Sequence, residues 1–158
     1  MFIVFVTGTA TLALFAVVAW YLAPLYPGIV VLELAFTPRS FGAVVHAWPP
    51  EYLQLYRLFL PIDLLLLVGY GVFGYLFVSR SRLFSQRSST LRTATTWALP
   101  LAATLGAVEN ASHMWLTAAP RFGIPWVYAL SATCAASKWV ISVAFILAVI
   151  QVLLHDEA

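Results

Sequence analysis

Leu105-Gly-Ala-Val-Glu-Asn-Ala-Ser-His-Met-Trp-Leu116 sets Glu109, Asn110 and His113 inside an apolar run that extends from Leu99 to Leu116. An ionisable group at the centre of a bilayer costs roughly 2.5–3.5 kcal/mol on insertion scales, so it normally faces partners inside the protein. Glu109, Asn110 and His113 therefore predict a membrane span with one face turned to other helices. Two further apolar runs carry a charge each, Asp63 and Lys138. The expectation is a fold in which three spans bring these groups together.

Composition sets the solvent. The 158 residues are 63% hydrophobic and only 9% charged, against about 25% charged residues in a soluble domain. This is the composition of an integral membrane protein, and the length suits one domain over residues 1–158. Cys134 is the only cysteine, so no intrachain disulfide and no Cys-based metal motif can form. No metal or cofactor is expected. The net charge of +2 gathers mostly in one connection and gives no case for a nucleic-acid partner.

Four spans are expected, at about 2–21, 51–78, 93–117 and 126–154. The first carries no charge and has the roughly 20 residues that cross a bilayer core. It lacks a basic leader, so it reads as a retained span rather than a signal peptide. The second contains Pro61, and at about 100° per residue it aligns Tyr52, Tyr56, Asp63, Tyr70 and Gly74 along one face. In the third, Ala102, Gly106 and Asn110 form a row at four-residue spacing beside Ala103, Ala107 and Ala111, and such rows let helix backbones approach closely. The fourth carries Ser131, Ala135, Lys138 and Ser142 on one face.

Residues 29–50 are too short and too broken to span. Thr37-Pro38 predicts a helix start, a capping residue followed by proline at the first helical position. The segment, with Glu33, Arg39 and His46, reads either as a re-entrant or interfacial lid or as a plain connecting loop. Arg80, Arg82, Arg87 and Arg92, interspersed with Ser81, Ser85, Ser88 and Ser89, form the second connection without an acid. The positive-inside rule puts that loop, and with it both termini, in the cytoplasm. The fold expectation is thus an all-α, multi-pass integral membrane protein, a four-transmembrane-helix bundle with a short re-entrant or interfacial segment between helices 1 and 2.

At about 1.5 Å per residue, Asp63 and Lys138 lie about 18 Å from the outer ends of their spans, and Glu109 about 12 Å. The three groups can meet in the outer half, under the 29–50 segment. Two carboxyl groups against one lysine leave one negative charge for Arg57 or a proton to offset. Asp63 and Glu109 are the acid/base candidates, Lys138 the charge that keeps one of them ionised, and His113 a hydrogen-bond partner for Glu109. Tyr56, Tyr70, Asn110 and Glu33 are candidates for ligand binding. His113 is the only histidine within a span, which disfavours haem.

Phe36-Thr-Pro38, Asp63 in a leucine-rich span, Glu109-Asn110 in an alanine-rich span and Ser137-Lys-Trp139 together resemble a family of small bacterial four-span proteins with no assigned function. The resemblance implies that Asp63, Glu109, Asn110 and Lys138 belong together, and it implies no reaction. In that family an acid often stands three residues before the Glu-Asn pair, a position held here by Gly106. The emopamil-binding family offers a similar architecture without matching motifs, an analogy of fold alone.

Three functions remain open on the sequence. The first is a membrane-embedded enzyme or binding protein for an apolar, lipid-like molecule such as an isoprenoid, sterol or fatty chain. The second is a non-catalytic membrane subunit scaffolded by a buried ion pair, and the third a proton- or ion-coupled transport unit. The partners expected are membrane lipids and an apolar small molecule, with a second copy of the chain left open.

Overall fold

A computed structural model of the chain describes residues 2–84, 87–119 and 121–156; Ser85 of the arginine-rich connection and Glu157 of the C-terminal tail lie outside them. The described residues form helices and no strands. These are α1 (Phe2–Leu22), α2 (Ile29–Glu33), α3 (Pro38–Ala47), α4 (Pro50–Arg80), α5 (Ser89–Ala118) and α6 (Pro125–Asp156), with a 3-10 turn at Arg82–Phe84. α1, α4 and α6 are long and apolar enough to cross a membrane. α5, of 30 residues, is equally long, but its threonines and the Glu109/Asn110/His113 group make it less apolar.

The distribution of side chains is inverted relative to a soluble domain, where charged groups stay outside unless paired. Phe2, Phe5, Trp20, Leu65, Val140 and Leu154 are exposed, whereas Glu33, Glu109, Asn110, His113, Ser131 and Lys138 are buried. Water would penalise that surface heavily, and hydrocarbon would not. This is a membrane protein.

The four long helices pack as a row in which α1 lies on α4, α4 on α5 and α5 on α6. α1 buries only Val4 and Val18. The contact between α4, α5 and α6 depends on small residues, as the row Ala102, Gly106 and Asn110 predicts: all three are buried. A Cβ added at Gly106 would come within 2.6 Å of Leu67 Cδ2 and 3.2 Å of Lys138 Cδ. The neighbouring row is less involved, and Ala111 is exposed.

The stretch between α1 and α4 is ordered. Thr37 and Ser40 form a reciprocal capping box, with Ser40 N donating to Thr37 Oγ1 at 3.1 Å and Thr37 N to Ser40 Oγ at 3.2 Å. Pro38 supplies the preset φ of the first helical position. α3 is amphipathic: Phe41 and Val44 are buried, while Arg39, Ala43 and His46 are exposed. Trp48 Nε1 donates to Pro27 O at 2.9 Å, so the two ends of the segment are pinned together. Leu32, Phe41, Val44 and Trp48 join Tyr56, Phe59 and Leu60 of α4, Leu116 of α5 and Val127 and Tyr128 of α6 in one apolar core. A second core, built on Val78, Phe84, Leu99, Phe145 and Val152, closes the opposite end.

Gly106→Ala inserts a methyl group where two side chains must give way, and overpacking of this kind costs about 1–3 kcal/mol. Thermal unfolding in detergent is expected to show that loss. Gly123→Ala, with nothing within 4 Å of the added Cβ, is expected to leave the transition unchanged.

Candidate functional site

Lys138 is buried on α6, and its stem runs past Gly106. Its ammonium lies 2.7 Å from Glu109 Oε2 on α5 and 3.5 Å from Glu33 Oε1 at the end of α2. Glu33 Oε2 accepts a hydrogen bond of 2.9 Å from Trp139 Nε1. The side chains of Lys138, Glu33 and Glu109 retain 11%, 11% and 1% of their exposure. An ammonium this far from solvent is tolerable only with close anionic partners, because desolvation of an ion costs several kcal/mol. Here two carboxylates on two other helices supply them, and three elements are tied at one point.

Lys138 stands thirteen residues past the start of α6, and Glu109 nine residues before the end of α5. At about 1.5 Å per residue these positions are ~20 Å from the start of α6 and ~14 Å from the end of α5. Glu33 therefore reaches well down between the long helices, although α2 has only five residues.

Asp63 does not join this group. Among the described residues only Glu33 and Glu109 lie within ion-pair distance of Lys138, while Asp63 lies beside the group, near enough to act on Glu109 and Lys138 through its charge. Asn110 comes between: its Nδ2 donates to Asp63 Oδ2 at 2.8 Å and reaches Leu60 O at 3.5 Å. The amide satisfies Asp63 without charge. Arg57 is exposed and offsets no charge of the cluster.

His113 also departs from expectation. One turn from Glu109, it hydrogen-bonds through Nδ1 to the Tyr56 hydroxyl on α4 instead. Both rings are fully buried. Phe41 of α3 meets His113 edge-on at a centroid distance of 5.3 Å and Tyr128 at 5.2 Å. Tyr70 shares the α4 face of Tyr56 and Asp63, but its buried hydroxyl makes no hydrogen bond to the described residues. Among the described residues no three His, Cys, Asp or Glu side chains are placed to share a metal ion.

A cavity of about 340 Å³ opens not at the acids but one layer above them. Phe41, Val45, Trp48, Leu53, Leu116, Phe122 and Tyr128 give it an apolar wall, with His46 and Arg121 also present. None of Glu33, Asp63, Glu109, His113 and Lys138 lines it. Phe41 separates the two, touching the cavity on one side and His113 on the other. Sequence reasoning places the polar groups on the right helix faces but misses the cavity and the role of Trp139. The available signals are the lone acid within Ile29–Phe36 and the adjacency of Lys138 and Trp139.

No protein family, curated protein or solved structure matches this chain.

Removing one partner of a buried ion pair costs about 3–5 kcal/mol, so Lys138→Met is expected to lower thermal stability strongly. Adding Glu109→Gln is expected to restore part of the loss and adding Glu33→Gln most of the rest, since no unpaired carboxylate then remains around position 138. Equal stability of the single, double and triple variants would mean that these side chains are not partners.

Proposed function

We propose that the protein crosses the membrane four times and holds an apolar, lipid-like molecule in the cavity formed by α3 and the adjoining ends of α4, α5 and α6. α5 is read as the fourth span, because it packs along α4 on one side and α6 on the other and turns Glu109, Asn110 and His113 inward. Its exposed side chains, Leu101, Val108, Met114 and Trp115, are suited to lipid or its interface. The arginine-rich connection places both termini in the cytoplasm by the positive-inside rule, and the cavity on the opposite side. The 23–49 stretch is then a re-entrant segment, with Glu33 held at depth by Lys138 and Trp139.

The observation that carries this reading is the apolar cavity itself, whose volume falls within the roughly 300–1,000 Å³ of small-molecule sites. Its wall is a short amphipathic helix with no other evident task. The ionic cluster beneath serves as an anchor that sets α2, and through it α3, against the long helices. None of Asp63, Glu109, His113 and Lys138 lines the cavity, and Phe41 stands between it and His113, so binding is favoured over catalysis. Among the described residues no acid is buried with the apolar core at the other end, and the transport reading has the least support. A purely structural role is the second reading, favoured by the pairing and burial of Lys138.

Gly42 lines the cavity, and a Cβ there meets only His46 Cδ2 at 4.0 Å. The backbone there accepts a Cβ, so the side chain of Gly42→Leu is expected to occupy the cavity, and the change removes a glycine that costs about 1 kcal/mol in a helix interior. Mass spectrometry of the purified protein is expected to detect a co-purifying lipid-like molecule that disappears in Gly42→Leu while thermal stability is kept. No such molecule in the natural chain, or its retention by the variant, would favour the structural reading.

A further inference from the structure

The cavity is charged at its mouth as well as apolar along its wall. Arg121 and His46 border it, and the shallower depression of about 470 Å³ next to it shares His46 and adds Arg39. Among the described residues no aspartate or glutamate lines either space. Glu33 and Glu109 are paired with Lys138 and Asp63 with Asn110, and Glu51 is exposed at the first turn of α4 and lines neither. Arg121 and His46 thus border the apolar cavity and Arg39 the depression beside it, with no acid among the described residues lining either.

Arg121 is the best placed of them. Its guanidinium lies 4.3 Å from the centroid of the Trp115 ring, a stacking that occupies its face and leaves its edge donors for a planar or tetrahedral anion. Its backbone carbonyl accepts from Tyr128 Oη at 2.9 Å, which holds the backbone at Arg121 independently of the side chain. Its Nε is buried and has no hydrogen-bond partner among the described residues. A buried, unsatisfied donor on a charged group costs more than an unmade neutral hydrogen bond, so an incoming acceptor would be favoured there.

Resting on the binding reading above, we infer that the occupant is a single alkyl chain ending in an anionic headgroup, with the chain against Trp48, Leu53 and Leu116 and the headgroup at Arg121 and His46. The volume lies at the lower end of the roughly 300–1,000 Å³ range for such sites, which suits one chain rather than the two of a phospholipid. Arginine forms paired, charge-assisted hydrogen bonds with carboxylate and phosphate alike, so the shared chemistry is the anion.

The test uses the full chain in phosphatidylcholine nanodiscs and three photoactivatable diazirine probes of equal length: dodecanoate, dodecyl phosphate and dodecanol. Labelling of the cavity peptides is read by mass spectrometry against probe concentration. One or both anions are expected to label at concentrations about tenfold lower than the alcohol, the scale of a hydrogen bond to a charged group. Arg121→Gln should abolish that preference while leaving dodecanol labelling unchanged, and Glu51→Gln should leave the preference intact. Equal labelling by all three probes, or a preference that survives Arg121→Gln, would overturn the anionic-headgroup inference and leave the binding reading standing. If none of the probes labels the cavity, the binding reading itself fails.

Discussion

The Lys138 ammonium, held between Glu109 and Glu33 at 2.7 and 3.5 Å, is the contact on which the rest of the arrangement depends. A buried ammonium cannot be left facing hydrocarbon, so α6 has to turn this side to α5 and to α2. Gly106 makes that possible by leaving room for the lysine stem beside Leu67. Glu33 would be an expensive residue in a short apolar segment without Lys138 and the Trp139 indole to receive it. The ion pairs and the small-residue row are thus two parts of one constraint, because the close helix approach brings the charges together and the charges fix its register.

Above that point the molecule is layered. The Tyr56–His113 hydrogen bond and the Asp63–Asn110 pair tie α4 to α5. Phe41 covers them, and the apolar cavity lies over Phe41. The local features of the 23–49 stretch serve the same end. The capping box starts α3, Pro49 and Pro50 follow its end, and the Trp48–Pro27 hydrogen bond closes the stretch on itself. A ten-residue helix has little stability of its own in isolation, so the position of α3 relies on packing and on the anchored α2 before it.

Much of this was legible in the sequence. Long apolar runs announce the long helices, and Thr37-Pro38 announces α3. The i, i+4 pattern puts Tyr56 and Asp63 on the face of α4 that meets α5, and Ala102, Gly106 and Asn110 on the face of α5 that is buried. What periodicity cannot give is which polar group meets which, since a rotation of a few tens of degrees or a slide of one residue exchanges neighbours. Asp63 lies on the correct face, yet Asn110 takes it, and His113 points to Tyr56 although Glu109 is one turn away. Glu33 was visible as a lone acid, but five residues are too few for a periodic signal, and its partner lies 105 positions along the chain. The cavity was illegible for a further reason: it is bounded by the ends of four helices, where no single stretch carries its outline. Gly106 lies against the lysine stem. In this chain Glu33 gives Lys138 its second carboxylate from a different element.

Hydrogen exchange across the chain tests this account most directly, comparing the natural protein with Glu33→Ala. Loss of the carboxylate removes contacts to both Lys138 and Trp139, and a hydrogen bond to a charged group contributes enough for a change of about tenfold or more. The account predicts that the amides of Val44 and Val45 in α3 exchange slowly in the natural chain and at least about tenfold faster in the variant. The amides around Leu66 and Leu67 in α4 should be unaffected. Unchanged α3 exchange in Glu33→Ala would contradict the account, because the segment would then be held without the buried ion pair.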